Sequence, residues 1–286
     1  MFGWIVRRPA AHGPLLVVPG LVWLGAFFLI PIGLVLGYSV MRRGTYGGVV
    51  AGFTLEHYRR FLEPLYLEVL WRTVVWSAGA TVACLLLGYP VAYAIARARR
   101  WRQILLFLVV LPFWTSFLVR MFAMIFLLRD TGLINGTLQA LGIIDQPIQL
   151  LYTPGAVLLG LVYGFLPLMI LPIYASLEKL DDALLEAAEV LGAGPRTRFF
   201  QVILPLSMPG VAAGCLLTFI PALGSFVTSD LLGGAKQVMI GNLIQNQFTT
   251  ARNWPFGSAA ALVVMGLVLV AVVGYLRRNG AERLVG

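Results

Sequence analysis

Hydrophobic residues in this chain come in long blocks separated by short polar interruptions, rather than at the short periods of a soluble core. Blocks run from about 15 to 40, 69 to 96, 103 to 128, 154 to 177, 208 to 229 and 254 to 276. Each can cross the roughly 30 Å apolar layer of a bilayer, which takes about 20 residues as a helix. The pattern predicts an all-α integral membrane protein with six transmembrane helices in a single domain. Pro19 and Pro31 predict a bent first span, which outlasts a signal-peptide core and lacks a small-residue cleavage site, so it should be retained. The interruption at 178–207 is patterned like a helix. Leu180, Ala183, Leu184, Ala187, Ala188 and Leu191 recur on one helical face. Asp181 or Asp182 can cap its start, and Gly192, Gly194 and Pro195 end it. A second amphipathic piece follows, with Phe199, Phe200, Val202 and Ile203 against Arg196, Arg198 and Gln201. The two together predict a knuckle of two short helices. Its plainest role is an interfacial hairpin; its alternative is insertion into a partner's groove.

Composition supports the membrane class: 59% of the 286 residues are hydrophobic and 12% charged, with a mean hydropathy of +0.88. The net charge of +9 comes from arginines at the ends of apolar blocks, which argues for membrane orientation and against nucleic acid. With both termini on one side, that side carries twelve basic residues: Arg7, Arg8, Arg97, Arg99, Arg100, Arg102, Lys179, Arg196, Arg198, Arg277, Arg278 and Arg283. The opposite side carries Arg42, Arg43, Arg59, Arg60, Arg129, Lys236 and Arg252. The bias predicts cytoplasmic termini and places 178–207 in the cytoplasm.

Catalytic signatures are absent. Lys179 and Lys236 belong to no phosphate-binding loop. His12 and His57 stand apart from cysteines and from metal-ligand spacing, and no G-x-S-x-G elbow occurs. The chain is expected not to be an enzyme and to bind no cofactor or metal itself. Cys84 and Cys215 sit inside apolar blocks as small packing residues.

Glu186-Ala187-Ala188, Gly192 and Ile203-Leu204-Pro205 resemble, in order and spacing, the EAA loop of bacterial ABC-importer permeases. That resemblance implies a type I importer fold with a coupling helix docking on an ATP-binding subunit. Glu186, Ala187, Ala188, Gly192, Ala193, Arg196 and Pro205 are its candidate coupling residues. Pro64-Leu65-Tyr66, Leu87-Gly88-Tyr89-Pro90, Pro112-Phe113-Trp114-Thr115, Ser176 to Asp181, Ser229 to Lys236, Ile240-Gly241-Asn242 and Trp254-Pro255-Phe256-Gly257 are similar to the spermidine/putrescine importer permeases. This implies inward polyamine transport by alternating access across a bacterial inner membrane. It also implies a second related permease, two ATP-binding subunits carrying ATP and magnesium, and an external polyamine-binding protein. Relatives of that subfamily carry opines or organic anions, which stays an alternative cargo. A stand-alone secondary transporter would show ion-coupling carboxylates or repeated halves, and neither is found.

Residue types within the spans suit a cation in part. Phe113, Trp114, Phe117, Tyr163, Phe165, Phe219 and Phe226 offer aromatic faces. Pro221 and Gly224 interrupt the fifth span, and Ser225, Phe226, Ser229 and Asp230 follow, a broken-helix site signature. The alternative is a kink with Asp230 as a helix cap. Trp114 and Tyr163 complete the candidate pathway. Arg72 and Arg120 are intramembrane charges. Arg72 is expected to pair with Glu68, four residues earlier. Arg120 is the eighteenth residue of its span and so about 26 Å along a straight helix; it too is expected to be a snorkelling or paired structural arginine, the alternative being a substrate ligand.

Overall fold

A computed structural model describes residues 12–281; Arg7, Arg8 and Arg283 lie outside the described residues. Two compact units emerge, one formed by the residues up to Glu63 together with those from Asn246, the other by Pro64–Gln245. The first contains helix α1 (His12–Ser39), a two-residue antiparallel ladder of β1 (Arg42–Arg43) with β2 (Val49–Val50), helix α2 (Glu56–Phe61) and helix α12 (Trp254–Ala281). Helix α12 packs on α1 and α2. The hairpin is fastened to its own unit by Gly48 N–H donating to Arg252 O at 2.9 Å and Arg43 Nη2 donating to Ala251 O at 3.0 Å.

The larger unit is built on α3 (Pro64–Arg97), α7 (Pro154–Glu178) and α10 (Leu204–Gly224), which pack pairwise. In lipid there is no hydrophobic drive to bring apolar helices together, so close approach through small residues matters more. Gly210 shows this. A Cβ there would lie 2.5 Å from Pro172 O and 2.8 Å from Ser176 Cβ, so only glycine lets α10 meet α7. The Tyr89 and Ser207 hydroxyls, 2.9 Å apart and buried, join α3 to α10. Helix α7 begins where its sequence signals a start: Thr153 Oγ1 accepts from Ala156 N at 3.2 Å and Pro154 fills the first turn.

Among the described residues five helices are long and apolar enough to cross a membrane, and a sixth crossing counts if one bent pair is a single span. That pair corrects the expected straight third span at 103–128. Helix α4 (Arg102–Val110) runs into a tight 3₁₀ turn at Leu111–Trp114, and α5 (Phe117–Leu128) resumes after extended Thr115 and Ser116, leaving a 90° bend with α6 (Leu133–Ala140) beyond. The 26 Å depth assigned to Arg120 on a straight helix therefore has no basis.

The fifth span differs at both ends. It begins at Pro195 instead of 208, because α9 (Pro195–Arg198) continues through a π-turn (Phe199–Ile203) into α10. Pro205 explains the π-turn. It has no N–H for the Gln201 carbonyl, and the ladder widens so that Leu204 N–H reaches Phe199 O. The second short helix of the expected knuckle is thus the first two turns of a spanning helix. At the other end α10 stops at Gly224 instead of 229. A π-turn (Ser229–Gly233), a 3₁₀ turn (Gly234–Lys236) and α11 (Ile240–Phe248) follow.

Candidate functional site

Helix α8 (Asp182–Val190) occupies the polar interruption and is held at both ends. Asp181 caps it, its Oδ1 accepting from Ala183 N at 2.9 Å. Asp182 pairs with Arg97 at 3.5 Å and Arg99 at 2.5 Å, and Glu178 with Arg102 at 2.9 Å, fastening the helix start to the α3–α4 turn. These groups line a polar cavity of about 280 Å³ with Tyr93, Leu185 and Ile203. Each exposed pair is worth about 0–1 kcal/mol, so they aim the helix more than they stabilise it. At the far end Gly192, with φ +82°, reverses the chain. Gly192 N–H donates to Glu189 O and Ala193 N–H to Ala188 O, both at 2.9 Å, the paired bonds of a Schellman end. Arg198 then reaches back to Glu189 at 2.7 Å.

This fastening leaves the apolar side of α8 uncovered. Only Leu185 is buried on the helix. Leu184, on the predicted stripe, is exposed, and Val190 and Leu191 are 88% and 87% exposed. Glu186 and Ala187 are exposed too, with no ion pair on Glu186 among the described residues. Ala188 and Ala193 are half-buried and Arg196 is exposed. Pro205 is exposed but sits in α10, beyond the π-turn. Asp182, Arg97, Arg99, Glu189, Arg198 and Val190 were missed as contributors; the alternation of arginine clusters with acidic residues at 178–189 was the available signal.

The second constellation lies where α10 ends. Ser225 Oγ donates to Thr228 Oγ1 at 3.0 Å, and Ser229 Oγ donates to Gln237 O. Buried Asn242 donates from Nδ2 to Phe226 O at 2.9 Å and to Asp230 Oδ1 at 3.2 Å. The Phe226 carbonyl also accepts from Asp230 N–H at 2.9 Å, so Asn242 is a second donor that ties α11 to the turn after the break. Asp230 is exposed and accepts from a side chain rather than capping a helix. Met239 N–H finds Asn242 Oδ1 at 3.1 Å, and Ile240 N–H finds Thr73 Oγ1 at 2.8 Å, which anchors the start of α11.

Across α7 the same segment meets α5. A Cβ on Gly160 would meet Leu232 Cδ1 and Thr228 Cγ2, the latter at 2.7 Å, with Met121 Sδ beyond at 3.5 Å. One turn further along α7, Tyr163 and the two rings that flank the α4–α5 break, Phe113 and Phe117, enclose Arg120. Its guanidinium carbon lies 5.4 Å from the Phe113 ring centre, 5.4 Å from Phe117 and 5.9 Å from Tyr163. Arg120 is buried, so it does not snorkel, and among the described residues it has no ion pair; Nε and Nη1 have no hydrogen-bond acceptor. Each π-face contributes about 0.5–2 kcal/mol, so three faces together offset part of the cost of burying a guanidinium without an opposite charge. The expected Glu68–Arg72 pair is likewise absent among the described residues; Arg72 lies over Trp76 at 5.9 Å instead. Trp114 stands apart from the cage, 73% exposed and edge-on to Phe107 at 5.6 Å. Of the sequence-predicted pathway residues, Ser225, Phe226, Ser229 and Asp230 come together, and Tyr163 joins a cage with Phe113 and Phe117, two of the aromatic faces named from the sequence.

Known proteins resemble this chain in sequence and in fold. Residues 85–285 match the family described as binding-protein-dependent transport system inner membrane component. The spermidine/putrescine transport system permease protein PotB of Haemophilus influenzae is 47% identical over 258 residues, covering 90% of each chain. Its Escherichia coli namesake is 47% identical over 252 residues, 87% of this chain and 92% of the relative. Among solved structures, a chain of a bacterial alginate ABC transporter in complex with an alginate-bound periplasmic protein superimposes with a TM-score of 0.68 at 18% identity, over 93% of each chain. At that identity the likeness speaks for fold alone, and the fold is that of an ABC-importer permease. With a family match over most of its length, this chain belongs to the binding-protein-dependent inner-membrane transport permeases.

Proposed function

We propose that this chain is one of two permease subunits of an ATP-driven importer, and that its cargo is a polyamine, spermidine or putrescine. The observation that carries the cargo is the 47% identity, over nine-tenths of both chains, to a permease named for spermidine/putrescine transport. A second related permease completes the pathway, two ATP-binding subunits hold ATP and magnesium, and an external binding protein delivers the polyamine. Both termini and α8 face the cytoplasm. The bare tip of α8, with Glu186, Ala187, Val190 and Leu191, enters the ATP-binding subunit, while Gly192, Ala193 and Arg196 set its angle. Closure of the ATP-binding subunits on ATP moves α8. Through Asp182 and the arginines of the α3–α4 turn that motion reaches the spans, and rigid-body rotation exchanges outward for inward opening. Asp230, Ser225, Ser229, Phe226, Tyr163 and Trp114 line the cation's route. An organic anion is the alternative cargo. Arg120 gives it little support, because rings cover the guanidinium and leave Nε and Nη1 enclosed. The test is uptake by proteoliposomes holding the whole assembly, supplied with labelled spermidine, putrescine and an opine. ATP-dependent spermidine uptake is expected; opine uptake without polyamine uptake would overturn the reading.

A further inference from the structure

A cation enclosed by aromatic faces, with no anion beside it, is the arrangement by which proteins recognise alkylammonium and guanidinium groups. Here the enclosed cation belongs to the chain itself. Arg120 stands one helical turn beyond the extended break at Thr115–Ser116, its backbone N–H bonded to Ser116 O at 3.1 Å. A structural arginine at membrane depth is normally settled by a carboxylate or by backbone carbonyls, and among the described residues this one has neither at Nε or Nη1. The cage is specifically built. A Cβ on Gly164 would lie 2.8 Å from Phe117 Cε2, so the glycine lets that ring lie against α7, where it also stacks on Phe165 at 6.1 Å. Two of the rings are not buried by the chain's own atoms. Phe113 and Tyr163 keep 40% and 41% of their surface open while the guanidinium covers part of their faces. Finally, the break itself interrupts the helical ladder before Arg120 and gives its helix a place to pivot.

We propose that Phe113, Phe117 and Tyr163 form a binding site for an organic ammonium group, and that Arg120 is its resident occupant, filling the cage in the absence of cargo and yielding it to an arriving ammonium. The identity of the visiting cation rests on the polyamine reading. An occupied cage has a clear use. A small inorganic cation brings only its charge to the rings, whereas an alkylammonium, though itself well hydrated, also brings a methylene stem that lies against them and so gains the π-faces that Arg120 surrenders. The device admits organic cations without leaving an open cation path.

The test uses the purified assembly of both permeases with their ATP-binding subunits, and thermal midpoints with methylguanidinium or spermidine. Arg120→Ala empties the cage, and its midpoint should fall. Methylguanidinium at 10 mM should restore at least half of that fall while leaving the wild type unmoved. Spermidine should stabilise the variant at a concentration at least ten-fold lower than it needs with the wild type. Arg120→Lys, which keeps a cation in place, should behave as wild type toward both probes. Adding Phe117→Leu to Arg120→Ala should abolish both effects. Equal response of variant and wild type to methylguanidinium would refute the cation site. Rescue by methylguanidinium with unchanged spermidine dependence would refute displacement by cargo, leaving a structural arginine. Loss of the second permease from the Arg120→Ala preparation would also overturn the proposal, by showing that a partner's carboxylate is what Arg120 serves. If the wild-type assembly takes up no spermidine, the cargo reading fails on its own, and the methylguanidinium arm still decides the cage.

Discussion

Gly192→Val isolates one cause in the coupling helix. Gly192 sits at φ +82° with no atom within 4 Å of a prospective Cβ, so a side chain meets empty space and only the backbone objects. A left-handed conformation costs a non-glycine residue about 1–2 kcal/mol, with β-branched residues at the upper end. Two bonds depend on it, Gly192 N–H to Glu189 O and Ala193 N–H to Ala188 O. Their loss frees the end of α8 that carries Val190 and Leu191. At about 1.4 kcal/mol per factor of ten, the correctly ended helix should become about 5–30-fold rarer. If docking uses that tip, affinity for the ATP-binding subunit should drop by a like factor. Two controls share the loop. Gly192→Asn, a residue that tolerates the left-handed region, should lose little. Gly194→Val should lose little as well, since Gly194 has φ −67° and ψ 169°, ordinary for any residue, and also faces open space. The assay is titration of the ATP-binding subunit onto permease heterodimer in nanodiscs, with spermidine uptake alongside. Gly192→Val binding within two-fold of wild type, or Gly194→Val weakening it equally, would refute the reasoning.

Three further outcomes are expected. Asp230→Asn keeps an oxygen for Asn242 but removes the charge; uptake should fall by at least about five-fold, corresponding to about 1 kcal/mol of lost attraction in water, and further for spermidine than for putrescine, so equal full-rate uptake of both sinks the role. Gly210→Ala drives a methyl into Pro172 O and should cost about 1–3 kcal/mol, read as a lower thermal midpoint. Adding Ser176→Gly should recover only part, since the carbonyl remains, and full recovery would show the helices free to separate. For orientation, single cysteines at Gly136 and Lys236 should react with an impermeant maleimide in intact cells and those at Arg99 and Arg196 should not, in a chain carrying Cys84→Ala and Cys215→Ala. Gly136 is used because its neighbour Asn135 is buried and bonds to both N and O of Ile148 at 2.9 Å. Labelling at Arg196 without labelling at Lys236 would invert the topology and remove α8 from the cytoplasm.

Membrane-length helices were legible because bilayer thickness imposes a length that composition alone reveals, and the start of α7 because Thr153-Pro154 is a local capping signal. The two large errors have a common origin. Apolar content reports that a segment lies in lipid, but not whether its backbone is continuous there. Leu111–Trp114 and Thr115 carry as much hydrophobic character as a straight helix would, and Pro112 occurs in spans that merely bend. Conversely, the charged piece at 195–203 looked like a separate surface helix because its arginines dominate the composition, yet a π-turn beside Pro205 lets the ladder continue through it.

The sites divide along the same line. Glu186, Ala187 and Gly192 could be found from their order along the chain, since a short helix with a glycine end is a local object. From sequence the stripe reads as an interfacial face or as one for a partner's groove; in the structure it is bare at Leu184 and Leu191, and Val190 is exposed too. Arg120 is the harder case. From its neighbours it looked like a snorkelling side chain, and a pairing rule over four residues can only propose partners on its own helix. Of the rings that surround it, Phe117 is on its own helix, but Phe113 comes from the far side of a break and Tyr163 from α7, and together they replace a carboxylate that sequence reasoning would demand. A buried charge settled by π-faces instead of an opposite charge stays exchangeable for another cation of similar size, and a transport path can use that property where an ion pair would lock it.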